Sequence, residues 1–293
     1  MTIHEPEKLV IFDYSGTLSL EAPRFARPAN LLLALAESGL AKLGVATPEV
    51  FWGKIVVPTW VVGSTTEIGY KRILAERIEA LGLTPGVAGA EIAAASSRFV
   101  DLYLAHSRID PLWRPMLENL ADNPGVHVVI ATDHYAEATK TIIDHLNDWN
   151  IPAGQKGGKG GTAPGFSWKN RELSPLFIAN SADIGFGKAD RRFWETVRLQ
   201  LAITAIRSVL MIDDFGFNEE KGDSYGERAR VSTRQKETAA SVQEIFQASL
   251  AVIPFFLKSG ERNRKNAGAR RIAEAVCQID HFLNFGDVTR TDS

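Results

Sequence analysis

The feature that most constrains this chain is a short apolar run that stops abruptly at an aspartate. Residues 9–12 are all apolar, Asp13 follows them directly, and Gly16 and Thr17 then turn the chain. Consecutive apolar residues bounded by a turn signal are typical of a strand buried on both faces, as in a parallel sheet. Ligands of open parallel sheets bind at the carboxyl ends of the strands, where Asp13 would lie. Asp13 is therefore a candidate nucleophile or metal ligand, although a strand ending in a capping aspartate gives the same pattern.

A second apolar run lies far downstream and also ends in acidic residues. Residues 209–212 are followed by Asp213 and Asp214, and then by Asn218. Carboxylates held close together need a countercharge, and hard cations such as Mg²⁺ prefer oxygen ligands. The two strand ends are therefore candidates for a shared metal site, but the spacing alone does not establish that they converge.

Four short motifs together resemble those of the haloacid dehalogenase-like hydrolase superfamily. They are residues 10–17, which contain Asp13; residues 127–132, which end in Thr132; residues 185–190, which contain Lys188; and residues 212–218, which contain Asp213 and Asp214. Their order matches the superfamily's nucleophile, hydroxyl, lysine and acidic metal motifs. The resemblance implies an α/β fold, with the doubly wound parallel sheet of a Rossmann-like core.

The stretch between the first two motifs shows only helical periodicity. Leu31, Leu32, Leu35 and Leu40, for example, recur at the spacing of an amphipathic helix. Members of the superfamily often carry an inserted cap at this place. We therefore expect a core of residues 1–21 and 108–293 and an inserted α-helical cap domain of residues 22–107.

The resemblance also implies a reaction. Asp13 would attack the phosphorus of a small phosphorylated metabolite and form an aspartyl-phosphate, which water then hydrolyses. Mg²⁺ would be bound by the Asp13 carboxylate, the backbone carbonyl of Ser15 and the Asp214 carboxylate, with Asp213 or Asn218 assisting.

Other residues of the motifs would hold the phosphoryl group. Thr132 would donate a hydrogen bond to a phosphoryl oxygen, and Lys188 would neutralise charge on Asp13 and the substrate. In the turn after Asp13, Gly16 allows backbone N–H groups to approach an anion, Thr17 adds a hydroxyl group, and Tyr14 completes the predicted substrate-binding set.

Ser15 departs from the pattern of the superfamily's phosphomonoesterases, which usually have a second aspartate at this position as general acid and base. A serine hydroxyl has no useful pKa near neutrality, and positioned acid–base catalysis contributes roughly 10²–10⁴ in rate. We therefore expect weak hydrolysis of simple alkyl phosphates and better hydrolysis of acyl or aryl phosphates. Asp133 and His134 are the nearest substitutes by sequence.

Three alternatives remain open at this point. A metal-independent 2-haloacid-type dehalogenase would use Asp13 against carbon, with Arg24 or Arg27 gripping the substrate carboxylate. A Schiff-base phosphonate hydrolase would need Lys54, whose sequence setting does not match well. A catalytically impaired protein would use the fold to bind a phosphorylated ligand or a partner.

Composition limits the classes of partner. The chain has 33 basic and 35 acidic residues and a formal net charge of −2, so no nucleic acid or anionic membrane surface is expected as a ligand. No segment has the pattern of a signal peptide or of a membrane span. Cys277 is the only cysteine and is typical of a reducing compartment, so we expect a cytoplasmic protein with a small-molecule substrate. The sequence does not indicate an oligomeric state.

Two segments are harder to interpret. Residues 154–161 are rich in glycine and lysine but lack the spacing of a phosphate-binding loop, so we expect a surface loop. Residues 248–257 are too apolar for a loop, and Pro254 favours an edge strand or a kink without deciding between strand and helix.

Overall fold

A single six-stranded sheet forms the centre of the computed structural model, which describes residues 7–155, 175–220, 223–257 and 264–286. The strands are β1 (Lys8–Phe12), β2 (Val126–Thr132), β3 (Ala153–Gly154), β4 (Leu176–Asn180), β5 (Ser208–Asp213) and β6 (Ser249–Pro254). They lie in the order β3-β4-β2-β1-β5-β6, and every neighbouring pair is parallel. The predicted α/β class with a parallel sheet is confirmed.

Helices connect the strands and cover both faces of the sheet. Those in the described part of the chain are α1 (Glu21–Phe25), α2 (Pro28–Ser38), α3 (Pro48–Val50), α4 (Val57–Ser64), α5 (Tyr70–Leu81), α6 (Gly89–His106), α7 (Arg114–Ala121), α8 (Glu137–Asn147), α9 (Ser181–Ile184), α10 (Arg191–Leu201), α11 (Arg228–Phe246) and α12 (Arg264–Phe285). A π-helical turn, Phe51–Val56, joins α3 to α4.

Alternation along the strands builds two hydrophobic layers. In β1, Val10 and Phe12 pack on one face with residues of α7, α8 and α12, while Leu9 and Ile11 pack on the other face with residues of α10 and α11. Burial on both faces explains why the strand is a continuous apolar run. The sheet is therefore doubly wound.

The register of the central strands positions the candidate site. Phe12 is level with Ile130 of β2 and with Ile212 of β5. Asp13, directly after β1, and Asp213, at the end of β5, consequently lie at the same edge of the sheet. This is the carboxyl edge, where open α/β sheets bind ligands.

Residues 21–106, called the helical segment below, contain α1 to α6 and contribute no strand to the sheet. Their apolar side chains form a separate hydrophobic cluster, which also includes Tyr135 and in which Leu35, Ile55, Leu74 and Phe99 are almost fully buried. The helix-only pattern read from the sequence agrees with this arrangement. The division into a core and a cap domain remains a prediction.

Several predicted boundaries need correction. The helix expected after residue 28 ends at Ser38, because Gly39 adopts a left-handed conformation with φ of 92°. The helix that follows Lys188, α10, spans Arg191–Leu201, since Asp190 caps its start and Ala202 is left-handed at its end. Residues 248–257 include the edge strand β6, whose last residue is Pro254. Of the predicted surface loop, residues 156–161 lie outside the described part of the chain.

Candidate active site

A buried lysine links two of the predicted acidic residues. The Lys188 ammonium donates hydrogen bonds to Asp13 at 2.5 Å and to Asp213 at 2.8 Å. Lys188 is only 2% exposed, and the loop that carries it is fixed from both sides. Its backbone N–H donates to Asp133 at 2.8 Å, and the Trp194 indole donates to its carbonyl at 2.7 Å. The third sequence motif therefore meets the first and the fourth.

Asp214 completes an acidic cluster with these two aspartates. One carboxylate oxygen from each of Asp13, Asp213 and Asp214 lies within 4.8 Å of the others. The Asp214 side chain is oriented by hydrogen bonds from the backbone N–H groups of Gly216 and Asn218, at 3.1 and 2.7 Å. The two strand ends thus converge, which the sequence spacing did not establish.

The turn after Asp13 brings its backbone close to this cluster. Gly16 has a φ of 82°, and a Cβ atom there would lie 2.5 Å from an Asp214 carboxylate oxygen. The Thr17 hydroxyl accepts a hydrogen bond from the Asp214 backbone N–H at 3.1 Å. Gly16 and Thr17 therefore support Asp214, and their predicted contact with substrate remains a prediction.

Burial raises the free-energy cost of ionising the side chains of the cluster. Burial raises the pKa of Asp13 well above its usual range, against the opposing effect of Lys188, and Asp213 and Asp214 raise it further. The pKa of Asp214 is raised to about 8. Burial is the largest cause, and repulsion from Glu219 and Asp213 adds to it. Burial alone would lower the pKa of Lys188, but Asp13 and Asp213 outweigh it and raise that pKa. Lys188 is therefore cationic at neutral pH, and it lies between two acidic side chains.

The donor set fits a divalent cation. Three ionised carboxylates and one ammonium leave two negative charges uncompensated, which is the charge that one Mg²⁺ would neutralise. All side-chain donors are carboxylate oxygens, the ligands that Mg²⁺ prefers. Asp13, Asp213 and Asp214 are thus the residues of this cluster that could hold Mg²⁺.

The Asn218 side chain connects backbone segments by hydrogen bonds. Its amide nitrogen donates to the carbonyls of Gly16 and Phe255, both at 2.8 Å, and its amide oxygen accepts from the Leu257 N–H at 2.9 Å. Asn218 is therefore close to the predicted metal site, but its side chain already has backbone partners on three sides.

Of the remaining predicted substrate contacts, Thr132 lies in the cavity above the cluster and Tyr14 does not. Thr132 is 1% exposed and lines the cavity together with Asp13 and Lys188. The Tyr14 hydroxyl instead donates to the carbonyl of Ser107, directly after the helical segment. The Tyr14 side chain therefore joins the first motif to that segment.

Asp133 and His134, the two proposed substitutes for the missing acid, both have hydrogen-bond partners within the protein. Asp133 accepts hydrogen bonds from the Lys188 N–H at 2.8 Å and from the Tyr225 hydroxyl at 3.0 Å. His134 accepts from the Tyr135 N–H through Nδ1, which places its proton on Nε2, 2.8 Å from the Tyr103 hydroxyl. Burial lowers the pKa of His134 to about 4, so the imidazole is neutral at physiological pH.

Sequence reasoning missed two acidic residues of the cavity, Glu219 and Asp223. Glu219 accepts a hydrogen bond of 2.9 Å from the Ser15 hydroxyl. Burial raises the pKa of Glu219 to about 8, and repulsion from Asp223 adds to the effect. Residues 219–223 have the composition of a polar turn, and the only sequence signal was their closeness to Asp214.

The cationic residues required by two of the alternatives lie elsewhere. Arg24 pairs with Glu21, and Arg27 pairs with Glu220 at 3.0 Å. Neither arginine lines the cavity, and Lys54 is exposed on the π-helical turn. The arrangement therefore offers no support for a Schiff base at Lys54 or for a carboxylate grip by either arginine.

Comparison with known proteins gives only distant similarities. No family model and no curated protein matches the chain. The putative HAD-hydrolase YfnB from Bacillus subtilis, solved with magnesium bound, has a TM-score of 0.43 and 14% identity, covering 76% of this chain and 86% of its own. A 2-haloacid dehalogenase from Pseudomonas syringae has a TM-score of 0.45 and 19% identity, covering 75% and 83%. A phosphonoacetaldehyde hydrolase-like protein from Oleispira antarctica has a TM-score of 0.35 and 15% identity, covering 92% and 95%.

At identities of 19% or less and TM-scores of 0.45 or less, these similarities transfer no activity to this chain. We therefore argue function from the geometry of the cavity.

Among the described helices, none combines the length and apolar character needed to cross a membrane.

Proposed function

We propose that this protein is a Mg²⁺-dependent, phosphatase-like hydrolase of the haloacid dehalogenase-like superfamily, acting on a small phosphorylated metabolite through an aspartyl-phosphate on Asp13. The observation that carries the proposal is the lysine bridge: Lys188 contacts Asp13 and Asp213 in a buried cluster that also includes Asp214. We also propose that residues 22–107 act as a cap domain over the core and that the protein is cytoplasmic.

Asp13 is the nucleophile in this proposal. One of its carboxylate oxygens forms a bond to phosphorus while the bond between phosphorus and the leaving oxygen breaks. Water then attacks the same phosphorus, the bond to Asp13 breaks, and inorganic phosphate leaves with the carboxylate restored. The end of β1 holds Asp13 in place, since its backbone N–H donates to the Ile212 carbonyl at 2.9 Å.

The neighbouring residues lower the electrostatic barrier. A carboxylate and a phosphate repel each other, and the Lys188 ammonium beside Asp13 reduces that repulsion. Thr132, in the same cavity, would donate a hydrogen bond to a phosphoryl oxygen. A bound Mg²⁺, held by Asp13, Asp213, Asp214 and the Ser15 carbonyl, would supply the remaining positive charge.

Ser15 determines which leaving groups depart easily. Its hydroxyl cannot protonate an alkoxide near neutral pH, so simple alkyl phosphates should turn over slowly. Phenolates and acyl carboxylates need less protonation and should leave faster. The proposed activity is therefore weak toward simple phosphomonoesters.

Two other functions make different predictions. A metal-independent dehalogenase would release halide from 2-haloacids, and the pairing of Arg24 and Arg27 with acidic partners does not favour it. A catalytically impaired protein would bind a phosphorylated ligand without releasing phosphate.

The test is a screen of phosphorylated metabolites and 2-haloacids with excess Mg²⁺ or excess chelator. We expect phosphate release that requires Mg²⁺ and is abolished by Asp13→Asn, while Asp144→Asn on the exposed side of α8 leaves it unchanged. A single turnover in water labelled with heavy oxygen should place the label in phosphate. Label in the Asp13 side chain, with halide released in chelator, would establish the dehalogenase instead. Binding with no release of either product would establish the impaired protein.

A further inference from the structure

The cavity above Asp13 has an aromatic wall contributed by the helical segment. Phe25, Phe51, Trp52, Trp60 and Phe99 all line it. Four of these rings contact one another: Phe51 lies 5.1 Å from both Trp52 and Phe99, and Phe25 lies 5.7 Å from Phe99, measured between ring centroids. Trp60 packs on Tyr135 and Tyr225. Such edge-to-face and tilted packing holds the rings in fixed positions. The wall is therefore a preformed apolar surface facing the reacting groups.

Tyrosine rings extend this surface. The hydroxyl groups of Tyr103 and Tyr225 have partners within the protein, whereas the buried Tyr135 hydroxyl has none among the described residues. Tyr70 and Tyr135 stack face to face at 3.8 Å with an interplanar angle of 1°. The Tyr103 hydroxyl is bonded to His134, and the Tyr225 hydroxyl donates to Asp133. The wall thus offers a large ring area and one unpartnered hydroxyl group, that of Tyr135, which suits a ring-bearing group better than a polyol or sugar.

The charges around the cavity disfavour a second anionic group on the substrate. Among the described lining residues, Lys188 is the only cationic side chain, and Asp13 and Asp213 already hold it. The other charged lining residues, including Glu219 and Asp223, are acidic. A second phosphate or a carboxylate on the leaving group would meet repulsion without a compensating partner.

From the aromatic wall and these charges we infer that the leaving group of the substrate is an uncharged aromatic ring system, so that the protein hydrolyses phosphate esters of ring-bearing alcohols or phenols. This inference rests on the proposed phosphatase-like function and names its substrate class. It is separate from leaving-group acidity, because it predicts that a ring improves a substrate even when the leaving group is an alkoxide.

Three substrates separate the effect of the ring from the effects of the leaving group and of a second charge. Benzyl phosphate and glycerol phosphate both release alkoxides, but only benzyl phosphate carries a ring. Burying an apolar group of phenylalanine size should raise kcat/KM for benzyl phosphate over glycerol phosphate about tenfold to a hundredfold. Benzyl phosphate with a carboxylate on its ring should lose most of that advantage.

Variants then locate the effect. Trp60→Ala, in the half-buried part of the wall, should lower kcat/KM for benzyl phosphate about tenfold and change that for glycerol phosphate less than about twofold. Trp149→Ala is the matched control, because Trp149 is also half-buried but packs on the core away from the cavity. It should leave both values unchanged, and circular dichroism should show that each variant is folded.

The outcomes distinguish this inference from the proposed function. Asp13-dependent phosphate release without preference for benzyl over glycerol phosphate would overturn the inference and leave the proposed function intact. A preference unaffected by Trp60→Ala would also overturn the assignment to this wall. If neither these esters nor any phosphorylated metabolite releases phosphate, the proposed function itself fails.

Discussion

The hydroxyl of Ser15 donates a hydrogen bond of 2.9 Å to the carboxylate of Glu219, and both residues line the cavity above Asp13. The position two residues after Asp13 thus lacks an acid, but a carboxyl group is in direct contact with it. Burial raises the pKa of Glu219 to about 8, so a substantial fraction is protonated near neutral pH in the metal-free protein. Any protonation of the leaving oxygen should therefore depend on Glu219.

Glu219→Gln tests this dependence. The amide can still accept the Ser15 hydrogen bond but cannot transfer a proton, so turnover of benzyl phosphate should fall by at least about tenfold. Phenyl phosphate should lose less, because phenolate leaves with little protonation. Steady-state kcat of the wild type and the variant gives the loss for each ester, and the ratio of the two losses is the quantity compared. Glu220→Gln, next in the chain and paired with Arg27, is the control and should not change the ratio. An equal loss on both esters would remove Glu219 from this role.

Ser15→Asp has a different expected result once Glu219 is considered. From the sequence, restoring the usual aspartate should raise alkyl phosphate hydrolysis at least about tenfold. In the structure, the new carboxylate would lie against Glu219, and two adjacent carboxylates share a proton and alter each other's pKa. We therefore expect less than the full gain from Ser15→Asp alone, and a larger gain when it is added to Glu219→Gln.

A double-mutant cycle measures this coupling. The four proteins are the wild type, the two single variants and the double variant, compared by kcat for benzyl phosphate. Additive effects would show that the two side chains do not interact during turnover.

Gly16→Ala should damage the acidic cluster. A methyl group at Gly16 would lie 2.5 Å from the Asp214 carboxylate, in addition to the cost of about 1–2 kcal/mol for a left-handed alanine. Gly86→Ala is the matched control, because Gly86 has a φ of 85° and a Cβ added there would meet no atom within 4 Å. Urea denaturation should show a larger loss of unfolding free energy for Gly16→Ala, and only this variant should lose Mg²⁺-dependent activity. Equal losses would mean that the close approach to Asp214 has no consequence.

The sequence predicted the sheet and most of the acidic site because both depend on local patterns. Buried parallel strands are continuous apolar runs, and strands that end at one edge of a sheet place Asp13, Asp213 and Asp214 at that edge. β6 remained undecided because Pro254 weakens a strand pattern, although it is tolerated at the end of an edge strand.

The contacts that sequence reasoning did not predict join distant segments. Glu219 reaches Ser15 across 204 positions of sequence, and no periodicity marks such a contact. Tyr14 was expected at the substrate because of its neighbours in the first motif, but its hydroxyl finds the Ser107 carbonyl 93 positions away. Side-chain direction at a strand end is decided by the elements packed above it, and the helical segment provides those elements.

Glu137 should stabilise the helical segment by capping α5. Its carboxylate accepts hydrogen bonds from the N–H groups of Tyr70 and Lys71, at 2.7 and 3.1 Å, while the residue before the helix, Gly69, supplies no side chain. Losing such a cap costs about 1 kcal/mol, so Glu137→Ala should lower the unfolding free energy by about that amount. Asp144→Ala on the same helix as Glu137 removes only an exposed pair with Lys140 and should cost less than about 0.5 kcal/mol. Similar losses for the two variants in urea denaturation would contradict the capping role.

The raised pKa values of Asp214 and Glu219, both about 8, make stability depend on pH in the absence of metal. Their unfolded values lie near 4, so between about pH 4 and pH 8 the folded protein binds more protons than the unfolded chain. The unfolding free energy therefore falls as pH rises through this range. His134 acts in the opposite sense below about pH 6.5, because its pKa is lowered to about 4.

The window from about pH 6.5 to pH 8 consequently isolates the carboxyl groups, and Tm in excess chelator should fall across it. Asp214→Asn should flatten this decline, whereas Glu195→Gln, at a half-buried residue of α10 paired with Arg191, should not. Binding of Mg²⁺ requires ionised carboxylates and releases their protons, so the rise in Tm on adding Mg²⁺ should be larger at pH 8 than at pH 6.5. Thermal unfolding followed by circular dichroism measures both effects. A Tm in chelator that rises from pH 6.5 to pH 8, or a Mg²⁺ effect that shrinks over the same range, would show that these carboxyl groups do not carry the predicted protons.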